Sequence, residues 1–317
     1  MPKSRVVEVR DDVELTNLDQ PILDGSDITK RRLVDYLDGV ADRLLPGLAE
    51  RALSVIRARP GQRPFMQKNL PDYAPDWIPH IDVWSETSHR TVHYPLCQDR
   101  RTLLWLANQR AVEYHPALLD DVGRQSVLVI DLDPPEGADF TAVITVAQAV
   151  HEVLDRCGLA AAVKTSGSKG VHIVVPVDRS HAVDDIAAAT RALAARTADL
   201  DPDHATVAYV KDEREGKVFV DSTRAGGATV VAAYSPRARP GLPVSFPVGW
   251  SELPDVRPAD FTVETALDRL AGGDPWKQLM PADQTLPAEL ITEGNQIPIA
   301  RVAAMHEGKR RKRAQET

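Results

Sequence analysis

The amino-acid sequence predicts an α+β fold, a mixed β-sheet core flanked by helices. Three observations carry this reading. The run VLVIDLD, Val127 to Asp133, is short, β-branched and closed by Pro134-Pro135, which marks a buried strand. Thr141 to Cys157 and Asp184 to Ala198 carry helical periodicity on either side of a second apolar run, Val171 to Val177. Two further apolar runs, Lys217 to Asp221 and Thr229 to Tyr234, follow without a helical crossover between them, so the sheet is expected to be mixed rather than doubly wound.

Taken in order, Thr29 is placed to cap a helix whose inner face would be Leu33, Tyr36, Leu37, Val40 and Leu44, ending at Pro46. Pro60 to Pro79 reads as irregular or β-rich structure, and Asp99 to Val112 as a second helix with Leu103, Leu104, Leu106 and Ala107 inward. Gly158 stops the Thr141–Cys157 helix, and the loop Lys164 to Gly170 joins two strands. A proline-punctuated stretch after Pro240 leads to a helix near Val263 to Ala271. Residues 1–285 are expected to form one unit: an N-terminal part to about 115, a catalytic core to about 250 and a C-terminal segment. Residues 286–317, with the basic run Lys309 to Arg313, read as a disordered tail.

Composition sets the limits. A hydrophobic share of 43% over 317 residues suffices for a core, and no apolar run is long enough for a membrane span or a signal peptide, so a cytoplasmic protein is expected. Cys97 and Cys157 match no zinc or CxxC spacing. The net charge of −8 argues against a uniformly nucleic-acid-binding surface, yet Lys30-Arg31-Arg32, Arg237 and Arg239 gather basic charge locally.

Asp131 and Asp133 sit two apart at a strand end and so project from one face, and Asp221 closes a strand of its own. If the two strands are neighbours, three carboxylates converge on a site for two hard cations, the geometry of two-metal phosphoryl transfer. TSGSKG, residues 165–170, is a candidate anion cradle: its glycines let backbone N–H groups approach, while Ser166, Ser168 and Lys169 add hydroxyls and a charge. It is not a Walker A loop, because GxxxxGK[ST] is absent and a strand follows. His172 opens that strand, Arg224, Thr229, Arg237 and Arg239 follow the third acid, and His115 stands in Glu113-Tyr114-His115-Pro116.

In combination these segments resemble the archaeo-eukaryotic primase superfamily, specifically the polymerase domain of bacterial ATP-dependent DNA ligase D and stand-alone relatives such as the primase-polymerases associated with ligase C. The similarity runs from about Thr16 to Leu270 and rests on Asp131-Leu132-Asp133-Pro134, Ser166 to His172, Phe219-Val220-Asp221 with Arg224, and AAYSPRARPG from Ala232 to Gly241. It implies that Asp131, Asp133 and Asp221 bind two catalytic metals, manganese favoured over magnesium. It assigns Ser166, Gly167, Ser168, Lys169, His172, Arg224, Thr229 and Arg237 to the incoming NTP or dNTP, with His115 near its sugar. It implies a ribonucleotide-preferring, primer-extending, nucleoid-associated enzyme, expected as a monomer, acting on gapped or overhanged DNA in end joining or excision repair.

Two positions depart from the pattern. A lysine that holds a gap's 5′-phosphate in the family is Gln20 here, although Lys30 is kept, and the family's PFFQK reads Pro64-Phe65-Met66-Gln67-Lys68. Phe65 retains an aromatic face for template bases, and Lys68 or Arg32 becomes a candidate for the phosphate. The KxDG motif of an adenylated ligase lysine is absent, so sealing is expected from a separate ATP-dependent ligase. Two other readings use the same residues: a metal-dependent phosphohydrolase, for which no water-positioning base stands out, and a non-catalytic module that binds DNA gaps or ends and recruits a ligase.

Overall fold

The computed structural model describes residues 6–86 and 89–299. Strands β1 (Val6–Arg10) and β2 (Val13–Thr16) form a hairpin turned by Asp11 and Asp12, both at positive φ. Helix α1 (Lys30–Gly39) starts at the Thr29 cap, whose hydroxyl accepts from the Arg32 amide, and it buries Leu33, Val34, Tyr36 and Leu37. The helix does not run on to Pro46. It ends at Gly39, and α2 (Ala41–Leu48) begins after Val40 with Pro46 inside it. Pro46 forfeits only the bond to the carbonyl of Asp42, an exposed residue, so a two-turn helix tolerates it.

Strands β3 (Leu53–Arg57) and β4 (Phe65–Gln67) follow, then a separate hairpin of β5 (His80–Ser85) and β6 (Arg90–Pro95). Helix α3 (Arg100–Asn108) is capped by Asp99 and packs on α1. It stops short of Val112 because Arg110 turns the chain at a φ of 66°, and β7 (Ala111–Pro116) then pairs with β3 in a sheet of order β4-β3-β7.

The main sheet is built from β8 (Val127–Asp133), β9 (Ala162–Thr165), β10 (Val171–Pro176), β11 (Ala205–Thr206), β12 (Val218–Asp221) and β13 (Pro247–Val248), in the order β11-β12-β8-β10-β9-β13. All neighbours are antiparallel except β11 and β12, so the sheet is mixed, as expected. Helices α4 (Phe140–Arg156) and α5 (Val183–Leu200) pack on this sheet, and Leu128, Ile130 and Leu132 of β8 join the main core. The alternate residues of β8 face the other way. Val129 joins Leu118 and Val174 in a smaller cluster on that side, and Asp131 and Asp133 continue the same row.

Three expectations are corrected beyond the sheet. Thr229 to Tyr234 is not a strand: Thr229 makes an isolated bridge to Ala117, and Tyr234 takes a φ of 68° that no strand accommodates. The helix near Val263 shrinks to α6 (Ala266–Arg269), followed by α7 (Pro275–Leu279), whose Asp274 cap also receives the Tyr234 hydroxyl. Residues 288–296 lie not in a tail but in α8 (Ala288–Gln296), which lies so close on α5 that a Cβ on Gly294 would sit 1.8 Å from the Ala188 carbonyl oxygen. The Lys309–Arg313 run lies outside the described residues. No helix among the described residues is long and apolar enough to cross a membrane.

Candidate active site

Strand register builds the site. Asp221 on β12 faces Asp131 on β8, Asp131 faces His172 on β10, and His172 faces Lys164 on β9, so four ionisable residues form one row across the sheet. Directly opposed residues share a face, and the row therefore lies on the side away from α4 and α5. Asp133 stands one step further along β8 on that face, opposite Phe219.

Lys164 is 2% exposed, and its sequence position gave no sign of this role. Its Nζ lies 2.9 Å from the Val231 carbonyl, 2.6 Å from Ser245 Oγ and 2.7 Å from His172 Nδ1. The network fixes the protons. Burial raises the Asp131 pKa, but His172 and Arg224 outweigh that and hold its carboxyl well below the usual carboxylate range. Burial and the Lys164 charge pull the His172 pKa down to about 4, which leaves the ring neutral near pH 7. An ionised carboxylate only accepts, so the His172 proton is assigned to Nε2, 3.4 Å from Asp131 Oδ1, and Nδ1 accepts from Lys164. Ser245 Oγ already donates to the Thr165 carbonyl, so it too accepts, and Lys164 donates three bonds as an ammonium. Burial and the Arg237 charge lower the Lys164 pKa strongly, and Asp131 opposes that pull.

Cations hold the three carboxylates. Arg224 donates to Asp131 Oδ2 at 3.0 and 3.2 Å, and its Nε is 3.2 Å from Asp221 Oδ2. Arg214, stacked 3.9 Å over the Phe219 ring, reaches Asp133 Oδ2 at 3.2 Å, and Lys169 Nζ lies 3.5 Å from Asp133 Oδ1. Three carboxylates on adjacent strands are an all-oxygen donor set, which suits hard divalent ions. They are not drawn into a preformed cage. Among the described residues, the one cluster of metal-type side chains whose ligand atoms all lie within 4.8 Å of one another is on the β5–β6 hairpin.

The TSGSKG loop differs from the expected cradle. The amides of Ser168 and Gly170 both donate to Ser166 Oγ, so the loop is tied to itself and does not present these N–H groups to an anion. Its glycines serve close approach: a Cβ on Gly170 would lie 2.0 Å from the Leu132 carbonyl oxygen, and Gly167, at a φ of 66°, would meet Arg237 and the backbone at 2.8 Å. Arg237 donates to the Ser166 carbonyl and, at 2.8 Å, to Glu113 Oε2. Glu113 is a second residue the sequence did not flag. It also takes His115 Nε2 at 2.8 Å and the Ala238 amide at 2.9 Å. Burial opposes its charge, but His115 and Arg237 lower its pKa to about 2.

Most of these groups border one cavity of about 340 Å³, which Asp221, Gly167, Lys164, Glu113 and Arg214 do not line. Asp131, Asp133, Ser166, Ser168, Lys169, His172, Arg224, Thr229, Arg237 and His115 all border it, and Met66 and Arg239 border it too. Phe65, 40% exposed, lies on β4 beside Met66, Lys68 is exposed just beyond, and Arg239 is exposed. Lys30 departs from its expected place on DNA. It is 2% exposed, and its Nζ is bound to the Thr16 carbonyl and to Asn108 Oδ1 at 2.7 and 2.6 Å. Gln20 is exposed and adjoins it, its carbonyl accepting the Lys30 amide.

A carboxylate row at a sheet face, backed by a neutral histidine and ringed by arginines, is suited to phosphate groups and hard divalent cations. The family model of the LigD primase-polymerase domain matches residues 29–276. The bifunctional non-homologous end joining protein LigD of Bacillus subtilis is 34% identical over 264 residues, which is 81% of this chain and 42% of that protein. The multifunctional LigD of Mycobacterium tuberculosis is 33% identical, over 86% of this chain and 37% of that one. The chain thus spans about two fifths of the length of these relatives. The polymerase domain of Mycobacterium tuberculosis ligase D, solved in complex with DNA, superposes with a TM-score of 0.77 at 33% identity, covering 86% of this chain and 98% of that one. The chain belongs to the LigD primase-polymerase domain family, nucleotidyltransferases of the archaeo-eukaryotic primase superfamily.

Proposed function

We propose that this chain is a DNA-repair primase-polymerase that extends a primer strand across short gaps or at broken ends, with ribonucleotides preferred. The observation that carries this is the row Asp221-Asp131-His172-Lys164 across the sheet, whose middle pair, Asp131 and His172, borders a cavity walled by Arg224, Arg237 and Lys169. Asp131, Asp133 and Asp221 would hold two divalent ions, manganese favoured, whose chemistry when bound is to activate the attacking 3′-hydroxyl and neutralise the departing pyrophosphate.

The remaining steps belong to the chain's own groups. The neutral His172 offers an Nε2–H to phosphate oxygen without adding a charge beside Asp131. Arg224, Lys169 and Arg237 now rest on carboxylates or on the Ser166 carbonyl, and each can turn towards a triphosphate, exchanging one set of charge-assisted bonds for another. Ser166, Ser168 and Thr229 complete that wall. Glu113 orients Arg237 and His115 together, so the group that meets the phosphates and the group near the sugar move as one. Phe65, Lys68 and Arg239 form the DNA-facing rim. The relatives named above carry this domain within a non-homologous end joining LigD protein. By that analogy this domain acts at DNA ends or gaps, with sealing supplied by an ATP-dependent ligase, in the cytoplasm on the nucleoid.

The test is primer extension on a duplex with a short gap, comparing NTPs with dNTPs, manganese with magnesium, and a 5′-phosphate with a 5′-hydroxyl. Elongation that needs manganese and is lost in Asp131→Ala supports the reading, and a ribonucleotide advantage supports the sugar preference. No elongation on any substrate rejects the polymerase reading, and shortening of the primer points to a hydrolase.

A further inference from the structure

Away from the cavity, three side chains meet on one face of the β5–β6 hairpin. His80 and Asp82 are two apart on β5, and Asp82 faces His93 directly across the ladder, so all three project to the same side. His93 Nδ1 lies 2.6 Å and His80 Nε2 3.6 Å from the same Asp82 oxygen, and the two rings stand edge to face with centroids 5.4 Å apart. The side chains are 46%, 55% and 47% exposed for His80, Asp82 and His93. The backbone beneath is pinned: the His93 amide donates to Asn69 Oδ1 and its carbonyl accepts the Leu70 amide. None of the three borders the catalytic cavity.

We propose that His80, Asp82 and His93 bind one divalent transition-metal ion of the zinc class, at a site separate from the carboxylates of the cavity. Two imidazoles and one carboxylate are the donor set that zinc, nickel and copper favour, whereas magnesium and manganese prefer oxygen. Zinc bonds of about 2.0 to 2.2 Å place neighbouring ligand atoms of a tetrahedron ~3.4 Å apart. The His80–Asp82 separation already meets that distance. The His93–Asp82 pair opens by less than an ångström when an ion replaces the hydrogen it shares.

Three protein ligands leave a fourth position facing solvent, where water completes the shell. An isolated two-stranded hairpin is marginal in water, and an ion bridging β5 to β6 adds a cross-link beside the Lys68–Leu70 segment.

The experiment uses the full chain with Asp131→Asn and Asp133→Asn, which removes competing cavity ligands, and compares it with the same chain also carrying His80→Gln and His93→Gln. Equilibrium dialysis against zinc and against manganese, with circular dichroism to verify folding, reads the stoichiometry. The expected result is that the histidine pair costs one bound zinc and changes manganese uptake not at all. With cobalt as probe, visible absorption of tetrahedral intensity is expected with the histidines and lost without them. Equal zinc uptake by the two folded proteins overturns the proposal, as does a cobalt spectrum that the histidine pair does not change. In the otherwise native chain, His93→Gln alone is expected to leave manganese-dependent primer extension unaltered.

Discussion

The molecule holds the same pair of residues twice, in the same cross-strand register and in opposite surroundings. Asp131 and His172 face each other across an antiparallel ladder in the main sheet, as do Asp82 and His93 in the β5–β6 hairpin. In the first pair His172 is buried, Asp131 is 15% exposed, and Lys164 and Arg224 flank them; the second pair is half in water with His80 as its neighbour. Register alone therefore does not assign chemistry. In the sheet, burial and the Lys164 charge keep the histidine neutral, while His172 and Arg224 keep the aspartate ionised against burial, a surface for phosphate and hard cations. On the hairpin, solvent leaves the imidazoles open to a softer ion.

The largest expected effect separates the two pairs outright. Asp131→Ala should lower manganese-dependent extension by roughly a thousandfold or more, as loss of a catalytic metal ligand does. Asp82→Ala, which deletes the equivalent carboxylate of the hairpin, should stay within about twofold of the native rate. Comparable losses from both changes in a gap-filling assay would erase the functional distinction between them.

The next effect tests what makes the sheet pair different. Lys164→Met keeps the stem and deletes the ammonium, leaving the Val231 carbonyl, Ser245 Oγ and His172 Nδ1 without their donor. We expect extension to fall about ten- to a hundredfold, the usual cost of removing a group that orients a ligand through another. The His172 proton would no longer be fixed on Nε2, so nitrogen NMR of the ring should show the other tautomer or a mixture. A variant that folds and keeps both the tautomer and the rate would reduce Lys164 to packing.

Lys164 also shows where the sequence was silent. VLVIDLD, the KVFVD strand and the DxD spacing are local patterns, and they placed β8, β12 and three acids correctly. Lys164 looked like the opening of a loop, because a lysine in a strand is ordinarily read as exposed; three acceptors contributed by β10, Val231 and Ser245 make its burial tolerable. Glu113 and Arg214 were missed for the same reason, since their partners lie 124 and 81 residues away. Thr229 to Tyr234 misled in the other direction: its β-branched residues suggest a strand, but Tyr234 needs a left-handed backbone to bring its hydroxyl to Asp274. Lys30 kept the family's residue, yet Asn108 and the Thr16 carbonyl claim its ammonium.

A smaller effect comes from Glu113, which holds two residues of the cavity wall, Arg237 and His115. Its pKa falls from 4.5 to about 2 in the folded protein, so the stabilisation is fully present above about pH 4.5 and is lost as the pH falls towards 2. The gross contribution is on the order of 3 kcal/mol, an upper figure because Gln retains part of the hydrogen bonding. Urea midpoints of the native protein and Glu113→Gln should therefore differ near neutral pH and converge as the pH is taken below 4.5. A gap that stays constant across that window would mean that the carboxylate charge contributes nothing to holding Arg237 and His115.

The smallest effect lies at the rim, where exposure resembles that of the hairpin but the partner would be a base rather than an ion. Phe65 is 40% exposed, with the Arg57 guanidinium 5.9 Å from its ring, so the face is supported from below and open outward. Truncating it removes little packing, and thermal stability should be nearly unchanged in Phe65→Ala. Stacking on a template base is worth ~1 to 3 kcal/mol, of which a solvent-facing ring realises the lower part. KM for gapped DNA should rise about five- to tenfold with kcat preserved, and Phe65→Trp should restore it. A fall in kcat with unchanged KM would instead place Phe65 in support of the cavity through Met66, and would move the DNA-facing edge to Lys68 and Arg239.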